Sequence, residues 1–452
     1  MLEKLNQVIV YHKKNARYDE EINSFLSEIF MTGEFNKIIK PGNRVLIKPN
    51  LIKESHLYRR DDWEYIITHP TIIYGVIEQV LKILNGTGEI IVADGPQTDS
   101  DFSEICRRTN LSKIVNSFKT KTSTKIYLID LRKEYWNTKD GVVIGRKSLS
   151  GDPNNYVRVN LGDKSEFANH GSGKKYYGAD YDTEETCQHH SGSKHEYLVA
   201  GSALKADVVI NLPKMKTHKK SGVTLSLKNL VGINGDKNWL PHYTKGTPLF
   251  GGDQYPDSFK SNLEFILLNK FKYFLQYTHF AKIFGIPFKH FGKKIFGDTE
   301  KVIRSGNWYG NDTIWRMILD LNKILFYATS EGKMVDVPQR RYITIIDGII
   351  GGESNGPLAP EPKFSGILVA GTNPVAVDTV SCVLMGFDWR KISHIEKAYK
   401  IKHFPLVNFT ADKIKVIFSN NTGVKEMFFS DLKPVTYFLP HFGWQGHIEL
   451  KK

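Results

Sequence analysis

Short apolar runs and helical repeats alternate along the first part of this sequence, and that order constrains the fold more than any single motif. Residues 7–11 read as a strand, 20–31 as an amphipathic helix, and 44–48 as a second strand breaking at Pro49-Asn50. Residues 70–84 then read as a helix with proline in its first turn, where a missing N–H costs nothing. A third strand follows at 89–93, and a further helix has Ser100 or Asp101 as its cap. Strands separated by helices pair in parallel, because a parallel neighbour needs a long crossover that lays a helix on the sheet. The expectation is an α/β fold, a mainly parallel helix-covered sheet with a β-rich excursion and a helical basic insert.

The excursion is read from a shift toward Gly, Ser, Asn, Asp and Tyr between residues 137 and 194, with short strands at 142–144 and 156–161. It is expected to cover a ligand cleft. Residues 206–212 return to the sheet and 223–230 form a buried helix or turn. Residues 313–328 have helical spacing through Trp315, Ile318, Leu319, Leu321, Ile324 and Leu325. Strands at 342–346 and 366–369 and a helix at 374–384 complete the pattern. With 452 residues the chain exceeds what one core covers. The expected portions are 1–136 (N-terminal α/β), 137–205 (β-rich), 206–238 (core strand and Lys/His motif), 239–330 (basic aromatic insert) and 331–452 (C-terminal α/β).

The formal net charge of +14 favours an anionic partner, whether phosphate, polyanion or acidic lipid. Three scattered cysteines argue against a disulfide framework and a four-cysteine iron–sulfur cluster, and suit a reducing cytoplasm. No signal peptide and no apolar run of membrane-spanning length is read. Residues 259–297 hold nine phenylalanines, seven lysines and one acid, Glu264. That mixture suits an anionic membrane surface, with rings buried and lysines reaching phosphates, and the alternative is a helical hairpin packed on the core. No motif for specific nucleic-acid binding occurs.

The chemistry-bearing residues gather at strand ends. Lys48 and Asn50, Asp94, the run Lys214-Met-Lys216-Thr-His218, and Asp347 each close an apolar strand, so neighbouring parallel strands would bring them to one sheet edge. No acid separates Asp207 from Asp236, while Lys214, Lys216, Lys219, Lys220, Lys228 and His218 crowd between them. Like charges so close repel by about 1 kcal/mol per pair even in water. A bound anion would relieve that, and a solvated basic loop is the plainer alternative.

On this reading Lys48, Asn50, Lys214, Lys216, Lys228, Asn229 and Asn355 hold substrate, and His218 and His69 carry protons. Lysine neighbours hold His218 neutral, and the helix start acts on His69 in the same direction. Asp94 and Asp347 orient the histidines or, with Asp378, hold a divalent metal; Asp94 and Asp347 also suit simple Asp-Gly turns. Lys228, among apolar residues, needs an anion, a carbonyl or an acid such as Asp94, Asp347 or Asp378. The glycine-bounded segment Gly351 to Pro357 reads as a loop, as does the stretch holding Cys187, His189, His190 and His195.

The pieces LPKMKTH and GVTLSLKNLVG in the Lys/His segment resemble the signature of the DUF362 family of bacterial and archaeal proteins of unknown function. VLIKPNL (45–51), Thr68-His69-Pro70, ADGP (93–96), IIDGIIGGESNGP (345–357) and NPVAVDTVSCVLMGF (373–387) resemble it too. The segment 306–325 resembles a subset lacking the ferredoxin-like cysteine cluster and associated with surface-polysaccharide gene clusters. The pattern is distantly similar to the lactate-racemase-like family, whose organometallic cofactor is not carried over because its full binding set is missing here. The expectation is therefore an enzyme acting on a sugar phosphate or lipid-linked glycan precursor by Lys/His-assisted proton transfer. A non-catalytic membrane-surface or polyanion-binding protein and a cofactor-dependent redox protein are the alternatives.

Overall fold

Eleven strands form the central sheet: β1 (Gln7–His12), β2 (Arg44–Pro49), β3 (Glu89–Asp94), β4 (Lys125–Asp130), β5 (Val208–Leu212), β6 (Lys214–His218), β7 (Gly222–Thr224), β8 (Arg341–Asn355), β9 (Ala359–Gly371), β10 (Lys415–Asn420) and β11 (Gly423–Phe428). The structure, a computed structural model, describes residues 6–139, 142–171, 175–178, 182–258, 261–262, 265–266, 302–420 and 422–451. The spatial order is β11-β10-β1-β9-β8-β5-β2-β3-β4, with β6 beside β8 and β7 beside β6. Strands β8, β5, β2, β3 and β4 are mutually parallel. Strand β9 runs antiparallel to both β8 and β1; its pairing with β8 is a hairpin, the arrangement that the three-residue turn after Asn355 permits.

Helices α1 (Glu20–Thr32) and α2 (Pro70–Leu84) cover one face of the sheet, burying Leu26, Val76, Ile47 and Ile345 together. Helices α3 (Ser226–Asn229), α4 (Ile314–Tyr327) and α5 (Pro374–Leu384) cover the other, with Leu227, Ile318, Val377, Leu46 and Ile346. Leu46 and Ile47 fall on opposite sides because strand side chains alternate. From β2 the chain moves outward to β3 and β4, whereas from β5 it moves the other way to β8. The adjacent β2 and β5 therefore mark a topological switch point, and a crevice opens beyond their carboxyl ends.

Several expectations change. The glycine-bounded segment after Asp347 is strand up to Asn355, with Glu353 opposite Glu361 and Asn355 opposite Ala359. Its glycines serve close packing: a Cβ on Gly352 would lie 2.8 Å from the Tyr65 carbonyl oxygen, and one on Gly351 2.9 Å from that of Met215. Residues 223–230 divide between β7 and the single turn α3. The histidine-rich stretch is no solvated loop. It forms the helix Thr183–His189 and a hairpin in which His190 and His195 are 0% and 3% exposed, packed around Phe167. Most of the basic aromatic run 259–297 lies outside the described residues. Among the described residues no helix is long and apolar enough to cross a membrane.

Candidate functional site

The basic run after Pro213 is itself a strand. β6 pairs with β8 and with β7, and Lys214 and Lys216 are 0% exposed. Their repulsion is relieved from within. The Lys214 ammonium donates to Asp347 Oδ2 at 2.9 Å and to the Tyr18 hydroxyl at 2.8 Å. Tyr18 in turn donates to Asp347 Oδ1 at 2.7 Å, and the His69 backbone N–H donates to Oδ2 at 2.9 Å. Lys216 donates to Asn50 Oδ1 at 3.0 Å and to the Ile66 carbonyl. Those partners are neutral, so burial, with Lys214 and Lys228 adding to it, holds the Lys216 amine well below the usual lysine range.

His69 caps α2, its Nδ1 accepting the Thr71 N–H at 3.2 Å. Its ring lies 3.6 Å from the Tyr18 ring, nearly parallel. Burial pushes its pKa down to about 3. It is thus a neutral capping residue beside the Lys214–Asp347 pair.

A second buried pair forms beyond β2 and β3. Lys48 Nζ lies 2.7 Å from Asp94 Oδ1, and Asp94 also accepts the N–H groups of Leu51 at 2.7 Å and Gly95 at 2.9 Å. Gly232 allows the chain to pass over this pair: a Cβ there would sit 2.1 Å from Asp94 Oδ1. An amide ladder ties the strands together, Asn50 Nδ2 donating to Asn229 Oδ1 and Asn229 Nδ2 to Asn211 Oδ1, both at 2.7 Å. Asp378 accepts the N–H groups of Ser226 at 2.7 Å and Leu227 at 2.9 Å, fixing the start of α3, and burial raises its pKa to about 7. Asp94, Asp347 and Asp378 thus spend their oxygens in three separate places. Among the described residues no group of three His, Cys, Asp or Glu is arranged to hold a metal ion.

Between the ends of β2 and β3, the segment after β6 and residues 304–307 lies a cavity of about 300 Å³. Of the residues singled out from sequence, Asn50, Asp94, His218, Lys228 and Asn229 line it. Lys48, Lys214, Lys216, His69 and Asp347 do not, and Asn355 stays in the β8–β9 pairing. Lys219, Lys220, Lys237, Arg304 and His242 join the lining. Positive charge therefore dominates, since the Asp94 carboxylate is already paired with Lys48. These additional residues come from single turns and irregular segments, where no periodicity marks them; only Lys219 and Lys220 belong to the visible basic run.

The two imidazoles have opposite polarity. His218 Nδ1 accepts the N–H groups of Lys220 at 3.1 Å and Ser221 at 3.2 Å, so the neutral ring carries its proton on Nε2. His242 Nδ1 lies 2.8 Å from the Leu240 carbonyl oxygen and must donate to it, which leaves Nε2 with the lone pair. Burial, reinforced by Lys228, holds both well below the usual histidine range. Lys228 makes no hydrogen bond or ion pair among the described residues, and does not pair with Asp94, Asp347 or Asp378. Burial, then the charges of Lys237 and Lys48, lower its pKa to about 7. Lys237 donates to the Asn234 carbonyl at 3.2 Å and is lowered by burial to about 8. A wider depression of about 560 Å³ at the opposite sheet edge is lined by Arg44, Glu89, Lys125, Lys205 and Asp207, where Arg44 pairs with Glu89.

The profile of DUF362, a domain of unknown function, matches residues 45–139 and 128–383. The chain belongs to this family. The DUF362 match runs from β2 through α5 and includes β3, β5, β6 and the cavity-lining segments between them. No curated protein matches the chain. Among solved structures, a crystal structure of a protein from Thermotoga maritima is 11% identical, covering 78% of this chain and 55% of that one at a TM-score of 0.33. This DUF362 chain thus spans about half the length of that protein, and nothing is transferred from it.

Proposed function

We propose that the protein is an enzyme that binds an anionic small molecule in the cavity beyond β2 and β3 and moves a proton on it. The observation that carries this reading is the convergence of Lys219, Lys220, Lys228, Lys237 and Arg304 on one cavity at the switch point, against a single, already paired carboxylate. About 300 Å³ suits a phosphorylated monosaccharide, or the headgroup of a lipid-linked glycan precursor. Resemblance to the polysaccharide-associated subset supports the same substrates and a cytoplasmic location, at the inner membrane face for a lipid-linked one.

In this mechanism Lys219, Lys220 and Arg304 hold the phosphate and His218 Nε2–H donates to a substrate oxygen. The His242 Nε2 lone pair takes a proton from the adjacent carbon. His242 thus replaces His69 as the base, because His69 spends its acceptor on the α2 cap. A panel of sugar phosphates incubated with the protein in D2O and followed by proton NMR tests it. Deuterium should enter one carbon of one compound, and His242→Gln should abolish exchange while calorimetric binding persists. Binding without exchange across the panel would reduce the protein to an anion binder.

A further inference from the structure

Lys228 lines the cavity and makes no hydrogen bond or ion pair among the described residues. Lys48 is held by Asp94, Lys214 by Asp347, Lys216 by Asn50, Lys237 by the Asn234 carbonyl and Lys220 by the Ser305 carbonyl. Lys228 is nevertheless placed with care. It stands on the single turn α3, whose first N–H groups are fixed by the buried Asp378 and whose Asn229 is locked into the amide ladder. A lysine held on a rigid turn, inside a cationic cavity and with no acid paired to it, is poorly suited to remain an ammonium group. An uncharged amine is a nucleophile toward carbonyl carbon.

We infer that Lys228 captures a carbonyl-bearing anion as an imine, a step that deepens and rests on the anionic-substrate reading above. The nitrogen lone pair forms the C–N bond while the carbonyl π pair moves to oxygen. One amine proton passes to that oxygen, and Lys237, beside Lys228 and also lining the cavity, supplies the second as the hydroxyl departs as water, so the nitrogen keeps its other proton and the product is a protonated imine. His218 Nε2–H can polarise the carbonyl, and its neutrality keeps it from adding another charge. A protonated imine acidifies the neighbouring C–H, which is the proton His242 would remove. The lowered pKa of Lys228 agrees with this role without being needed for it.

Reductive trapping tests the inference. The full-length protein is incubated with dihydroxyacetone phosphate and cyanoborohydride, and the products are read by intact-mass and peptide-mapping mass spectrometry. The expected adduct is the mass of the probe less one oxygen atom, confined to the peptide carrying Lys228, and suppressed by excess inorganic phosphate. Lys228→Met should lose the adduct while calorimetry still shows phosphate binding, which also reports that the variant is folded. If adducts are absent, or are spread over surface lysines and unchanged in Lys228→Met, while wild-type protein binds phosphate, the imine is wrong and the anionic cavity stands. If phosphate does not bind the wild-type protein, the cavity reading fails and takes this inference with it.

Discussion

Lys48 and Asp94 form a buried ion pair whose geometry depends on a residue with no side chain. Asp94 is held by the Lys48 ammonium and the N–H groups of Leu51 and Gly95, so it cannot retreat from an atom placed against it. A methyl group on Gly232 would approach Asp94 Oδ1 to 2.1 Å and Lys48 Nζ to 2.8 Å. Gly232→Ala should therefore cost about 1–3 kcal/mol in urea unfolding, the usual cost of overpacking a filled interior. Gly145→Ala, where an added Cβ meets nothing within 4 Å, should leave the unfolding midpoint unchanged. His195 offers the opposite case: it is 3% exposed and, among the described residues, neither of its ring nitrogens has a hydrogen-bond partner. His195→Phe, stacked on Phe167 as the imidazole is, should raise stability by about 1 kcal/mol by removing unsatisfied polar atoms. A loss of stability would mean that the nitrogens are bound by something in solution.

At the scale of elements, β6 shows what a strand with lysines at alternate positions requires. Lys214 and Asp347 are both 0% exposed and 2.9 Å apart. Removing one buried partner strands the other, so Lys214→Met should cost about 3–5 kcal/mol, whereas Lys214→Met with Asp347→Leu should cost clearly less than the sum of the single changes. A double-mutant cycle in urea that proves additive would show that the pair has no energetic coupling. The same strand marks where sequence reasoning stopped. Strands β1, β2 and β3 and helices α1, α2 and α5 were legible because apolar periodicity and proline positions are local signals. The sequence places Lys214–His218 only at the end of the strand before it, with a solvated loop as the alternative, because the pairing partners that make it a strand, Gly222–Thr224 and Asp347 to Gly352, are supplied by the fold. The gathering of Lys48, Asp94, Lys214 and Asp347 at one sheet edge was legible too. Their division was not: Lys214 follows Leu212 by two residues on the α1 and α2 side, while Lys48 follows Leu46 by two on the other. His242 gave no signal, since its tautomer depends on a carbonyl two residues away and its location on a distant turn.

Over the whole molecule, neutral buried histidines set the response to acid. Among the described residues ten histidines have pKa values lowered by burial, with His69, His190, His394 and His441 at about 3 and His195 at about 4. In the unfolded chain each titrates near 6.5. Below that pH the unfolded state binds protons that the native state refuses, so stability falls as pH falls from about 6.5 toward 4. Four carboxyls act in reverse. Glu185, Asp253, Asp320 and Asp378 are raised by burial, the last three to about 6, 6 and 7. The native state holds protons on them that the unfolded chain has released, which adds stability as pH drops through the range from about 7 to 4. The histidines outnumber them, so the net slope is set by imidazole. The urea midpoint should accordingly fall steadily between about pH 6.5 and 5, and His195→Phe should flatten that slope by roughly one proton, about 1.4 kcal/mol per pH unit. A midpoint that holds or rises over this interval would mean that the histidines are protonated in the folded protein. His218 could then no longer be the neutral donor, nor His242 the base, that the proposed proton transfer requires.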